Sequence, residues 1–179
     1  RVGQGGYDRV AALIVGTGVG AGVVVKDPNI PSVFRVNSDP LEIGNVVLSA
    51  DPTNTFENYV SGPALERDYE LNPMDMPSDH PAWERVGVTV GQMANLLGVM
   101  GAVELVVPCG GIGSGASEKY WPHLLKMLKT YVAYGNETQK LLFPKVTPIA
   151  AEDTQVFELF GGEGVMRDFR SRTSTTIPG

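Results

Sequence analysis

Leu13-Ile-Val-Gly-Thr-Gly-Val-Gly-Ala-Gly-Val-Val-Val25 joins two apolar runs through a glycine-rich centre built around one threonine. Residues 10–15 and 22–26 predict two antiparallel strands, with Gly16-Thr17-Gly18-Val19-Gly20 as the tight turn between them. Such a turn offers backbone N–H groups and a hydroxyl, the materials of a phosphate grip. Taken alone it reads first as a hairpin, because hairpins use glycine for positive φ whatever their function. No lysine follows the glycines, so it is not a Walker loop. A strand rather than a helix follows them, so it is not a dinucleotide fingerprint either.

Working outward, Pro28 and Pro31 interrupt the pattern and residues 32–36 predict a further short strand. Residues 41–48 are half apolar and broken by Gly44. Asp51-Pro-Thr-Asn-Thr55 is turn chemistry, with Thr53 or Thr55 placed to cap a helix over 56–69 that Ser61-Gly62-Pro63 divides in two. Residues 71–81 carry prolines and predict a loop. Val86, Val90, Met93, Ala94, Leu97 and Met100 then mark the apolar stripe of a helix over 83–101. A buried strand over 103–109 ends at Gly110-Gly111, and Ser114 or Ser117 caps a helix over 118–134. A short strand over 145–150, a helix over 155–169 and a polar tail over 170–179 complete the chain. Antiparallel strands first, then helix–strand–helix–strand–helix, predict an α/β fold, a mixed sheet with helices packed against it.

Composition narrows the function classes. At 179 residues the chain suits one domain with a real core, taken here as 1–169 with 170–179 as tail. Its 14 basic and 20 acidic residues are spread through the sequence, which argues against nucleic acid, whose phosphates need clustered cations. No apolar run is long enough to span a bilayer and no signal peptide opens the chain. The single cysteine, Cys109, excludes an internal disulfide and a cysteine-rich zinc site; a cytoplasmic setting is expected. With no basic neighbour to activate it, Cys109 reads as a small buried side chain. The chain opens on Arg1 rather than methionine, so a piece of a longer protein is expected.

Two further features carry chemistry. Val106-Val-Pro-Cys-Gly-Gly-Ile-Gly113 is a strand end where a ring or ribose can lie against backbone, although a plain strand-to-helix turn is the commoner meaning. Gly110 and the first glycine turn lie about ninety residues apart and could grip two parts of one nucleotide. Between them stand Glu42 in Leu41-Glu-Ile-Gly-Asn45 and Glu57 in Phe56-Glu-Asn-Tyr-Val-Ser-Gly62, carboxylates in apolar or aromatic company. Either suits sugar hydroxyls, each charged hydrogen bond contributing roughly 1.5–3 kcal/mol. A lone glutamate is more often ordinary surface; only the combination lifts the pair.

In this order Gly16-Thr-Gly-Val-Gly-Ala-Gly22, Glu42-Ile-Gly44, Glu57-x-x-x-Ser-Gly62 and Gly110-Gly111 resemble the carboxyl-terminal half of the ROK sugar kinases, the family of bacterial glucokinases, fructokinases and N-acetylhexosamine kinases. The resemblance runs from about residue 10 to about residue 166. It implies an actin-like, ribonuclease-H-like lobe that closes over ATP, with its Mg2+, and a hexose or hexose derivative. Gly16, Thr17 and Gly18 would face the β and γ phosphates, and Gly110 and Gly111 the adenosine end. Glu42, Asn45 and Glu57 would meet the sugar.

Two departures follow from the same resemblance. The family's histidine three residues after the first glutamate is Asn45 here, and its zinc-binding cysteines are replaced by Asp51-Pro-Thr-Asn-Thr55, so no structural zinc is expected. His80 and His123 are expected at the surface. The family's general-base aspartate and first phosphate loop, which precede the strand over 10–15, have no counterpart here, and Asp8 is too close to that strand to serve. No catalytic residue is therefore assigned and the chain alone is expected to be inert. A sugar-binding sensor lobe without catalysis, or a lobe serving assembly only, are the alternative readings. A homo-oligomer, or pairing with the amino-terminal lobe, is the expected partner state.

Overall fold

A computed structural model describes residues 7–30, 34–36, 41–134 and 145–146 of the chain. Five strands form one mixed sheet: β1 (Arg9–Val15), β2 (Val19–Lys26), β3 (Phe34–Val36), β4 (Leu105–Cys109) and β5 (Lys145–Val146), in the order β3-β2-β1-β4-β5. The first three run antiparallel as a meander, while β4 pairs parallel with β1 and β5 parallel with β4. The expected α/β architecture, a mixed sheet with helices against it, is the one observed.

β1 is apolar at almost every position because it lies in the middle of the sheet. Its side chains alternate between two apolar clusters: Ala11, Leu13 and Val15 join the helix-facing core, Val10 and Ala12 a second cluster with Val24, Leu105, Val107 and Cys109. Cys109 is buried in that second cluster, as expected. The end of β2 is tied to β3 by Asp27, whose carboxylate accepts from the Asn29 and Ile30 amides and pairs with Arg35.

Helices cover the first cluster. α1 (Phe56–Val60) and α2 (Gly62–Tyr69) meet at Ser61, which ends the first in extended conformation and caps the second by accepting from the Ala64 amide. Thr55, rather than Thr53, caps α1 by accepting from Asn58 N–H. α3 (Ala82–Gly101) packs along α5 (Ser117–Tyr134) through Gly87 and Gly91, which face α5 where a Cβ would strike it. A Cβ at Gly87 would stand 2.7 Å from the His123 Cβ and 2.8 Å from the Leu124 amide nitrogen. The expected loop over 71–81 is pinned below them: Trp83 donates through Nε1 to Pro77 O at 2.8 Å, and Lys119 Nζ to Met76 O at 2.7 Å.

Several expectations are corrected. β2 begins at Val19, so the turn is three residues, Gly16–Gly18, and Val19, Gly20 and Ala21 are strand residues. Among the described glycines only Gly110 has positive φ; those of the hairpin turn do not need it. The segment after β4 is already helical, as α4 (Gly110–Gly113), and Ser114 bonds back to Gly110 O instead of capping α5. Residues 43–45, inside the interrupted segment, form a short 3-10 turn, Ile43–Asn45. Met100 is 78% exposed, whereas the other five stripe residues are buried. His80 and His123 are half-buried, the first edge-on to the Tyr69 ring and the second at the α3–α5 contact. Most of the strand expected over 145–150, the helix over 155–169 and the tail over 170–179 lie outside the described residues.

Candidate functional site

The site forms where β1 and β4 end side by side. Parallel pairing in the register Ile14↔Cys109 delivers the Gly16–Gly18 turn and the Gly110–Gly111 segment to the same edge of the sheet. Crevices outside the carboxyl ends of strands are where open α/β sheets take ligands. A Cβ at Gly16 would lie 3.6 Å from the Gly111 amide nitrogen. At Gly110, with φ +90°, a Cβ would sit 2.6 Å from Val15 O. The two backbones therefore approach as closely as they do only because Gly110 carries no side chain.

Within the turn the amides are divided between structure and solvent. Gly16 N–H donates to Gly18 O at 3.0 Å, and Gly16 O accepts from Gly62 N–H at 2.7 Å. The amides of Thr17 and Gly18 make no hydrogen bond among the described residues, and Thr17 is exposed. Two unpaired N–H groups and a hydroxyl at an exposed turn are donors suited to an anion. Gly16, which sequence reasoning counted among the donors, spends its own amide inside the turn.

Glu57 stands in the first turn of α1, where a carboxylate is favoured by the helix dipole. Its Oε2 accepts from Val19 N–H at 2.8 Å, and a Cβ on Gly18 would come within 3.0 Å of the same oxygen. Glu42 precedes the 3-10 turn and its carbonyl accepts from Asn45 N–H at 3.0 Å; both side chains are exposed. Gly44 rests against Val19 O, with no space for a Cβ. Val46 O then accepts from Phe56 N–H at 3.2 Å, seating the start of α1 beside that turn. Val19 is thus touched on its N–H by Glu57 and on its carbonyl by Gly44.

The structure therefore brings Gly16, Thr17, Gly18, Gly110 and Gly111 to one strand edge, and hangs Glu57 and the Glu42–Asn45 turn on the residue that follows the glycine turn. Sequence reasoning missed Val19, Gly44 and Gly62 as parts of this assembly. Gly44 carried a signal, since a glycine inside a half-apolar segment marks a close backbone approach. The Val19–Glu57 contact carried none, being a bond between backbone and a side chain remote in sequence.

Beside the site, Asp51-Pro-Thr-Asn-Thr55 is closed by hydrogen bonds. The Asp51 carboxylate accepts from the Thr53 amide at 2.9 Å and hydroxyl at 2.7 Å, and both bonds, the amide's first, hold its carboxyl below the usual range. Asn54 Nδ2 donates to Ser49 Oγ and Asn58 Nδ2 to Thr53 O. Among the described residues no three His, Cys, Asp or Glu side chains gather as a metal site. Asp8 lies at the opposite end of β1 from the glycine turn, exposed and paired with Lys26 at 3.3 Å. No helix among the described residues is long and apolar enough to cross a membrane.

This sheet order is that of the actin-like fold. Solved structures share the fold. The ROK hexokinase of Thermus thermophilus matches over 80% of this chain and 54% of its own length, at 22% identity and a TM-score of 0.58. A sugar kinase from Cytophaga hutchinsonii matches over 82% and 54%, at 21% identity and 0.58. The ROK glucokinase of Streptomyces griseus, solved with glucose and AMPPNP, matches over 83% and 57%, at 18% identity and 0.54. The chain spans little more than half the length of these proteins, so it has the fold of part of a ROK sugar kinase. No protein-family model and no curated protein matches it.

Proposed function

We propose that the chain is the carboxyl-terminal lobe of an ATP-dependent hexose kinase, positioning ATP phosphates and sugar hydroxyls for phosphoryl transfer. The observation that carries this reading is the convergence of the two glycine segments at one strand edge, with the Glu57 carboxylate bonded to the residue beside them. In this reading the Thr17 and Gly18 amides and the Thr17 hydroxyl take the β and γ phosphates, with Gly16 as the hinge that presents them. Gly110 and Gly111 lie beside the adenosine end, with open space at Gly111. Glu42, Asn45 and Glu57 hold sugar hydroxyls, and Mg2+ arrives on the phosphates of ATP.

Phosphoryl transfer depends on position and electrostatics more than on covalent help from the protein. Among the described residues no group at the strand edge is assigned as the base that takes the proton of the attacking hydroxyl, a role typically worth roughly 10²–10⁴ in rate. An aspartate from the other lobe would supply it, and the 179 residues alone are expected to bind without turnover. Association with a second copy or with that lobe is expected, and a monomer by light scattering at high concentration would count against it.

Calorimetry tests the reading. Titration of AMPPNP and of a sugar panel into the protein is expected to give binding of both, each tightened by the other. Sugar binding that AMPPNP leaves untouched would favour the non-catalytic sensor lobe instead. Asn45 is the observation behind that second reading, standing where the resemblance implies histidine. Binding of neither ligand by the folded protein would overturn both.

A further inference from the structure

α1 and the start of α2 touch the glycine turn and the residue after it at two points, one on each side of Thr17. Gly62 N–H holds Gly16 O at 2.7 Å, and Glu57 Oε2 holds Val19 N–H at 2.8 Å. With the turn's own bond from Gly16 N–H to Gly18 O, the unpaired Thr17 and Gly18 amides are framed by three hydrogen bonds. Glu57 is half-buried, and among the described residues Val19 N–H is the one hydrogen-bond donor to its carboxylate. A carboxylate can accept on both oxygens, so Oε1 keeps its acceptor capacity. Gly18 lies against this carboxylate closely enough that a methyl group there would stand 3.0 Å from Oε2 and press on it.

We propose that Glu57 is a positioning residue for the glycine turn and the link between the two ligands. Oε2 fixes the Val19 amide, and with it the aim of the Thr17 and Gly18 donors, while Oε1 faces the sugar. A sugar hydroxyl donating to Oε1 fixes the carboxylate in one rotamer and so orders the turn on which the phosphates rest. Nucleotide, by reciprocity, tightens sugar by the same factor. This coupling rests on the kinase reading above; the bond that braces the turn does not.

The test uses the 179-residue protein, isotope-labelled, with glucose and AMPPNP as probes and Glu57→Ala, Glu57→Gln and Gly18→Ala as variants. The Val19 amide is expected to exchange with solvent about tenfold faster in Glu57→Ala than in the wild type, the order of one lost charged hydrogen bond. The isosteric Glu57→Gln keeps an acceptor and should restore most of the protection. AMPPNP should bind about fivefold or more weaker to Glu57→Ala although Glu57 touches no phosphate, and Gln should rescue it in part. Gly18→Ala, altered on the turn, should weaken glucose binding and abolish the tightening of one probe by the other. Equal Val19 exchange or equal AMPPNP affinity in wild type and folded Glu57→Ala would overturn the proposal, as would unchanged glucose affinity in Gly18→Ala. If the wild type binds neither probe while Val19 exchange still depends on Glu57, the kinase reading fails and the brace stands.

Discussion

Gly110 is the residue on which the meeting of the two strand ends depends. Its φ of +90° and the 2.6 Å between a would-be Cβ and Val15 O leave alanine nowhere to go. Gly110→Ala is expected to destabilise the protein by about 1–3 kcal/mol in urea unfolding. Gly22→Ala is the control: nothing lies within 4 Å of its Cβ position, its φ is ordinary, and stability should hold or rise by up to about 1 kcal/mol. Thr17→Ala should leave stability alone, since the side chain is exposed, and weaken AMPPNP binding measured by calorimetry. The glycines of the first motif were legible in sequence as a turn but their reason was not. Positive φ was the local expectation; what Gly18 and Gly44 supply is room for Glu57 and for Val19 O, and room depends on residues far away in the chain.

At the scale of elements, Ser61 is the joint between α1 and α2. Its hydroxyl caps α2 from a buried position, so Ser61→Ala should cost about 1 kcal/mol and also loosen Gly62, whose N–H holds the glycine turn. α2 is tied to α3 by Arg85, which pairs with Asp68 at 2.7 Å and stacks 3.9 Å over the Tyr59 ring. The Asp68 carboxyl is held below its ordinary 3.8 chiefly by the hydrogen bond from Arg67, then by the bond and charge of Arg85, against some opposing burial. A carboxyl lowered on folding adds stability that is complete above its unfolded value and is lost as pH falls through the lower folded one. Asp68→Asn should therefore flatten the acid limb of the stability curve below about pH 4 and leave its slope near neutrality unchanged. The break at Ser61-Gly62-Pro63 and the cap at Thr55 could be read from residue chemistry alone. The 3-10 turn at Ile43–Asn45 and the short α4 could not, because tertiary contacts on Gly44 and Gly110 select them over extended alternatives.

Across the whole molecule, the sequence carried the strand meander and the alternation of helix and strand, because β1 and β4 are apolar on both faces and the α3 stripe has helical period. It could not carry the pairing of β1 with β4, a contact between residues nearly a hundred positions apart on which the convergence of the glycine segments depends. Motif order stood in for that missing geometry, and the fold shared with the ROK kinases agrees with it. The candidate site was legible residue by residue, yet the Val19–Glu57 bond that ties the glycine turn to α1 was not. The most direct test of the kinase reading is ATP consumption by this chain joined to an amino-terminal lobe of a ROK sugar kinase, assayed with and without glucose and other hexoses. The account predicts turnover that requires a hexose and is largely lost in Glu57→Gln. ATP turnover indifferent to every sugar, or none from a folded protein that binds both ligands, would contradict it.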